Sequence, residues 1–179
     1  MSAPQDPITV AFADLERTLV AQESGYVALR RLVAARRDAI RTADLDVLKR
    51  ILDDERAAVT RLGELDRRRT ELALGLGRRF GLVAPNASRA AAPPTVQQLL
   101  LRAPEDVRVR VTLLVERLRD EITLCRRESS VVRDAAERLA QHVSGLLQSV
   151  SAAFATTKTY GRGGRFAAAG ALRSIDLRS

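Results

Sequence analysis

The sequence predicts an all-α fold: a long antiparallel helical hairpin, a long third helix that joins it in a coiled-coil-like bundle, and a flexible basic C-terminal tail. Two observations support this fold class. Apolar residues recur at alternating intervals of four and three along most of the 179 residues, which is the heptad pattern of packed helices. The period-two alternation of a β-strand does not extend over a useful length anywhere. The composition agrees, because 46% hydrophobic and 29% charged residues suit a chain that buries a core.

The first long helix is expected from about residue 7 to residue 41. Pro7 stands where the first turn of a helix tolerates proline, and Asp6 can cap that turn. Only Gln22 and Arg36 interrupt the apolar stripe. The stripe consists of Ile8, Phe12, Leu15, Leu19, Tyr26, Leu29, Val33 and Ile40.

The second long helix follows after the segment RTADLD, where Asp44 is a plausible N-cap. Its stripe resumes at Leu45, and Gly75, Gly77 and Gly81 are candidate C-terminal caps. So short a connection predicts that the second helix runs back antiparallel on the first. Residues 1–81 are therefore predicted to form a helical hairpin.

A linker is predicted at residues 82–94, LVAPNASRAAAPP, because this segment contains three prolines and has no apolar period. Thr95 and Gln98 have the spacing of a capping box ahead of a short helix, and Pro104 can open the next helix. The third long helix then runs to the neighbourhood of Phe154, with a stutter where its stripe passes from Leu118 to Ile122. Residues 95–155 are assigned to the same bundle, and residues 156–179 to the tail.

The net charge of +8 lies outside the predicted long helices. Residues 1–77 hold 13 basic and 13 acidic side chains, and residues 103–155 hold 8 of each. The excess is confined to residues 78–102 and to the tail, whereas a surface that grips nucleic-acid phosphates usually places its charge along a folded face. Nucleic acid is therefore not the expected partner, although the tail's RGGRF leaves that alternative open.

The inventory of reactive side chains excludes the common catalytic and metal sites. Cys125 is the single cysteine and His142 the single histidine, so neither a zinc cluster nor a nucleophile with its base can be assembled. Cys125 occupies a stripe position and is expected to be buried, whereas His142 is expected at the surface. Acidic pairs such as Asp53 and Asp54, or Asp120 and Glu121, are interpreted as ion-pair partners of nearby basic residues. We therefore expect a binding protein with no catalytic residues, no metal, no cofactor and no small-molecule substrate.

Two further expectations come from what the sequence lacks and from its isolated glycines. The N-terminus MSAPQDPITV has no export signal, and no stretch approaches the ~20 apolar residues of a membrane span, so a cytoplasmic protein without membrane insertion is expected. Gly25, Gly63 and Gly145 lie inside predicted helices, where we expect them to be tolerated and not required.

The predicted hairpin has the pattern YVALRRLVAARRDAIRTADLDVLKRILDDERAAVTRLGELDRRRTELALGLG, and it is followed by a linker, a long helix and a tail with Tyr160, Gly161 and Gly164. In this pattern and arrangement the chain resembles the FlgN family of flagellar export chaperones. The resemblance covers nearly the whole chain. It implies a cytoplasmic helical protein that binds the C-terminal helical region of hook–filament junction (hook-associated) proteins and delivers them to the flagellar type III export gate.

On this resemblance the cargo-binding residues lie on the third long helix. Tyr160, Gly161 and Gly164 then serve docking to the export gate, or cover the cargo-binding face until cargo arrives. The implied cargo-binding residues are Val132, Ala136, Leu139, Val143, Leu146, Leu147 and Val150. The alternative function is that of a structural coiled-coil protein whose stripes are covered by self-association.

Overall fold

A computed structural model of the chain describes residues 7–84 and 92–157, with side chains up to residue 154. Helices make up 89% of it, and the described segments contain no strand. Four helices follow in order: α1 (Pro7–Thr42), α2 (Leu45–Arg79), the short α3 (Val96–Leu100) and α4 (Glu105–Thr157). The all-α prediction is confirmed. The predicted tail lies outside the described residues.

The turn between α1 and α2 is set by two adjacent residues. Asp44 is the N-cap of α2, and its carboxylate accepts a hydrogen bond of 3.0 Å from the Val47 backbone N–H, as predicted. Ala43 ends α1 in the left-handed region at φ +54°, where the backbone N–H groups of Ala43 and Asp44 donate to the carbonyls of Ile40 and Ala39. The sequence places an alanine where glycine usually stands, and this geometry turns the chain within two residues.

The hairpin helices are antiparallel, and contacts along their length fix the register. The Phe12 and Phe80 rings lie 6.0 Å apart near the open end of the hairpin. Near the turn, the Arg36 guanidinium donates to the Glu55 carboxylate at 2.7 Å. Arg36 is one of the two residues that interrupt the first stripe, and this ion pair accounts for its place there. Burial outweighs the attraction of Arg36 and raises the pKa of Glu55.

A glycine allows close packing of the two hairpin helices at one point. A Cβ atom on Gly25 would lie 2.7 Å from Leu62 Cδ2, so the two helices approach closely there. Gly63 and Gly145 have nothing within 4 Å of that position. The expectation that helical glycines are merely tolerated is therefore wrong for Gly25, whose hydrogen leaves room for the Leu62 side chain.

The end of α2 is capped by one of the three candidate glycines. Gly81 adopts φ +69°, and its N–H donates to the Arg78 carbonyl while the N–H of Leu82 donates to the Gly77 carbonyl at 2.8 Å. Gly75 and Gly77 lie inside the helix and cap nothing. A Cβ on Gly77 would lie 2.7 Å from Pro94 Cγ, so Gly77 lets the chain return tightly against α2.

The short helix α3 begins as predicted. Thr95 and Gln98 form a complete capping box, with hydrogen bonds of 2.9 and 3.2 Å. This cap directs Leu99 and Leu100 into the interior, where both are buried. The turn after α3 leads to Pro104, and α4 then runs unbroken for 53 residues through the predicted stutter.

The chain divides into two compact units, Met1–Ala135 and Ala136–Ser179. In the first unit, α1 and α4 run side by side in the same direction, joined by ion pairs of Glu16 with Arg110, Glu23 with Arg117 and Arg30 with Glu121 at 3.3 to 3.5 Å. One core contains residues of all four helices. It consists of Phe12, Leu15, Leu19, Ala73, Leu76, Leu99, Leu100, Val107, Val111, Leu114 and Leu118.

Gln22 is the second residue that interrupts the first stripe, and it is buried although it is polar. Its Oε1 atom has no hydrogen-bond partner among the described residues. A buried amide oxygen without a donor costs free energy. At Arg36, Glu55 supplies an ion-pair partner, although Arg36 Nε and Glu55 Oε1 have no hydrogen-bond partner among the described residues either.

Candidate binding surface on helix 4

The described part of the second unit is the last stretch of α4, and it exposes large apolar side chains. Leu139, Val143, Leu146, Leu147 and Val150 are between 46% and 62% exposed. Together with the smaller Ala136 we call them the α4 stripe. Scattered exposed apolar residues are ordinary, but a contiguous row of this kind marks an interaction surface.

Helical spacing places the α4 stripe on one face. Because successive residues turn by about 100°, the large residues of the stripe fall within an arc of roughly 100°. The opposite face carries the uncharged polar side chains of Gln141 and Gln148. This part of α4 is therefore amphipathic, and its apolar face is the exposed one.

The same segment has no formal charge. The 19 residues from Leu139 to Thr157 include no Asp, Glu, Lys or Arg, and His142, which is exposed as predicted, is the one basic side chain. The surface thus offers an apolar face with neutral flanks, which suits packing against another helix more than attraction of a charged ligand.

The structure separates the predicted cargo-binding residues. Val132 is 4% exposed, whereas the five large residues that follow in the stripe are exposed. It borders a groove of about 270 Å³ between α1 and α4, together with Val33 and Leu124. Val132 is covered because α1 runs beside it, so it belongs to the packed part of α4 and we leave it out of the α4 stripe.

One apolar residue at this surface was not among the predicted site residues. Phe154 is 69% exposed and lies four residues after Val150, on the same face. The continued spacing of the stripe was the signal that could have identified it. The predicted gate-docking residues Tyr160, Gly161 and Gly164 lie outside the described residues.

The placement of Cys125 agrees with the sequence prediction, and Asp53 has the expected partner on its own helix. Cys125 is buried in the first unit, and burial raises the pKa of its thiol. Within residues 7–84 and 92–157, His, Cys, Asp and Glu side chains form no group of three that could hold a metal ion. Asp53 pairs with Arg56 at 2.7 Å along its own helix, whereas Glu121 pairs with Arg30 across to α1. No helix in the described segments is long and apolar enough to cross a membrane.

Comparison with known families identifies the chain. The family model described as FlgN protein matches residues 1–167, which include all four helices and the α4 stripe. The chain belongs to the FlgN family. No curated protein and no solved structure matches the chain.

Membership in the FlgN family indicates the general kind of function, that of a flagellar export chaperone that binds flagellar proteins. It is a chaperone family and not an enzyme family. The match also extends beyond α4 to residue 167, so it includes Tyr160, Gly161 and Gly164. The resemblance on which these residues were singled out is thus confirmed at the level of the family.

Proposed function

We propose that this FlgN protein is a cytoplasmic chaperone that binds the C-terminal helical region of hook-associated flagellar proteins and delivers them to the type III export gate. The observation that supports the cargo site is the α4 stripe, a row of large apolar side chains exposed on one face of a long helix. An amphipathic cargo helix that packs along this face buries both apolar surfaces, in the helix-in-groove mode of recognition.

Burial of the stripe contributes favourable free energy to binding. Full burial of one Leu or Val side chain is worth about 1.5 to 3 kcal/mol, and each large residue of the stripe is already roughly half buried by its own helix. The five large residues together therefore offer several kcal/mol before the entropic costs of association. That range suits a complex that forms readily and releases its cargo.

The tail completes the proposal. Tyr160, Gly161 and Gly164 lie within the family match and follow directly after the cargo-binding helix in sequence. We assign docking at the export gate to these residues. A docking element close to the cargo site keeps the bound subunit near the gate during transfer.

The test is a titration of the purified chain with C-terminal helical segments of hook-associated proteins, at ~50 and ~200 mM salt. We expect tight binding to one segment that changes little with salt, because residues 139–157, which contain the large residues of the stripe, carry no Asp, Glu, Lys or Arg. Leu139→Asp and Leu146→Asp should abolish binding by placing a charge in the apolar interface. Gln141→Asp and Gln148→Asp place the same charge on the opposite face and should leave binding unchanged. If no segment binds, the proposed function is wrong.

Self-association is the second candidate, and the spacing of the stripe favours it specifically. Ala136, Leu139, Val143, Leu146 and Val150 follow the alternating intervals of three and four that pair helices in coiled coils. A stable oligomer that binds none of the segments, and that Leu146→Asp dissociates, would support this alternative.

Salt-sensitive binding of an oligonucleotide, lost on deletion of residues 156–179, would instead indicate a nucleic-acid role for the basic tail.

A further inference from the structure

We propose that the α4 stripe receives two helices of the cargo subunit at once, so that cargo and chaperone complete a helical bundle. The inference rests on the proposed chaperone function and concerns the form of its ligand. It starts from the width of the stripe. A helix that pairs with one partner needs only a narrow seam of two apolar positions per heptad, whereas a face of about 100° is typical of a helix packed in a multi-helix core.

The α4 stripe has the wider form. Alongside the row formed by Leu139, Val143, Leu146 and Val150, it carries Leu147 at the heptad position next to the row. Leu147 is 62% exposed, the largest fraction among the residues of the stripe. A single helix centred on the row leaves Leu147 at the margin of the contact.

The first unit provides an internal reference for this width. There, the buried and half-buried apolar residues of α4 also span roughly 100°, from Leu114 on one side to Val115 on the other. That face is not covered by a single helix, because its residues share one core with side chains of α1, α2 and α3. In this protein, an α4 face of this width is covered by more than one helix.

The chemistry of the surface defines the ligand. The 19 residues from Leu139 to Thr157 carry no Asp, Glu, Lys or Arg, so the flanks neither attract nor repel charged partner helices. The ligand is a pair of amphipathic helices from one subunit. We assign the C-terminal helix to the side of Leu139 and Leu146, where the apolar row is longer, and a second helix to the side of Leu147. A second copy of this chain paired along the row supplies only one helix.

Two neighbouring residues make the inference testable. Leu146 and Leu147 are adjacent in sequence, yet they point about 100° apart around the helix, toward opposite edges of the stripe. Single cysteines are introduced as Leu146→Cys and Leu147→Cys in a Cys125→Ala background, labelled with a thiol-linked benzophenone and irradiated with the intact hook-associated subunit. Gln148→Cys, on the polar face, is the matched control. The titration with the C-terminal segment is run on the same protein.

The expected result is that the two positions crosslink to two different helical segments of the same subunit, with no crosslink from Gln148→Cys. In parallel, Leu147→Asp should weaken binding of the whole subunit by about tenfold or more and leave binding of the isolated C-terminal segment unchanged. Leu146→Asp should weaken both.

Three results would overturn the inference. Crosslinks from both positions to one segment, with the cargo bound, would show a single-helix ligand and leave the proposed function intact. Crosslinks to another copy of the chain, or to residues 158–179, would show that a different segment covers the stripe. If neither the subunit nor the segment binds in the titration, the proposed function itself fails, and that outcome is distinct from the other two.

Discussion

Helix α4 carries apolar residues at the same helical spacing on both sides of Ala135, but the two parts lie in different environments. In the first part, Glu105–Ala135, the stripe residues Val107, Val111, Leu114 and Leu118 are buried in a core shared with three other helices. In the second part, from Ala136 onward, the large stripe residues are about half exposed. The difference teaches that an apolar period shows which face of a helix will be covered but not what covers it.

Helix lengths give a physical reason for the different exposure of the two parts of α4. α4 has 53 residues, whereas α1 has 36 and α2 has 35, so neither hairpin helix is long enough to cover α4 from end to end. The apolar pattern nevertheless continues to Val150. An apolar face that none of the described residues covers is costly in water, which is the reason for our proposal that a ligand binds there.

The largest expected effect contrasts one leucine from each part. Leu114→Ala should lower the free energy of unfolding by about 2 to 5 kcal/mol, because it leaves a cavity in the core, whereas Leu146→Ala should change it by about 0.5 kcal/mol or less. Urea denaturation followed by circular dichroism measures both. Similar losses for the two variants would contradict the comparison and indicate that Leu146 is covered in the free protein.

Thiol reactivity gives the second contrast. Cys125 is buried, so it should react with a disulfide reagent only when the surrounding core opens transiently. Its raised thiol pKa also slows the reaction, because more of the thiol stays neutral at a given pH. Val143→Cys in a Cys125→Ala background places the thiol in the exposed stripe. We expect it to react on the order of 100-fold faster, which corresponds to an opening free energy of about 2.7 kcal/mol at Cys125. Equal rates would show that the core around Cys125 is open.

A pair of glycines tests how tightly the chain closes on α2 in the first unit. Gly77→Ala should destabilise the fold by about 1 to 3 kcal/mol, because the new Cβ would lie within 3 Å of the rigid Pro94 ring and of Val83. Gly75→Ala, two residues earlier in the same helix and with nothing within 4 Å, should stabilise it by up to about 1 kcal/mol. Thermal unfolding of the two variants measures the difference. An increase in the thermal stability of both variants would show that Pro94 does not lie against α2.

The smallest expected effect concerns the ion pairs between α1 and α4. Arg117→Ala removes the exposed partner of Glu23 and should cost less than about 1 kcal/mol, with the loss reduced further at high salt. Unfolding at low and high salt checks this. A loss as large as that of Leu114→Ala would mean that the ion pairs, and not the apolar core, hold the first part of α4 in place.

The sequence alone predicted the helical elements because their signals are local. The Asp44 cap and the Thr95–Gln98 capping box appear in the structure where the sequence placed them. The stripe of α2 is only partly confirmed, because Leu62 is buried whereas Leu45 is 75% exposed. The glycine that caps α2 could not be chosen among three candidates, because the choice depends on where the chain returns. Gly77 is instead required by Pro94, which lies 17 positions further along the chain.

The candidate site divides in the same way. The periodicity of Ala136 to Val150 determined that this face of α4 is apolar, and the charge distribution placed the excess positive charge in residues 78–102 and 156–179. The structure corrects the expectation that this charge lies outside the long helices, because Arg78 and Arg79 form the last turn of α2. Only the tertiary structure decided that Val132 is covered by α1 and that the residues after it are exposed. Periodicity depends on neighbours three and four positions apart in the sequence. Burial depends on whether another helix packs beside a given residue, and helix lengths and the register of packing decide that.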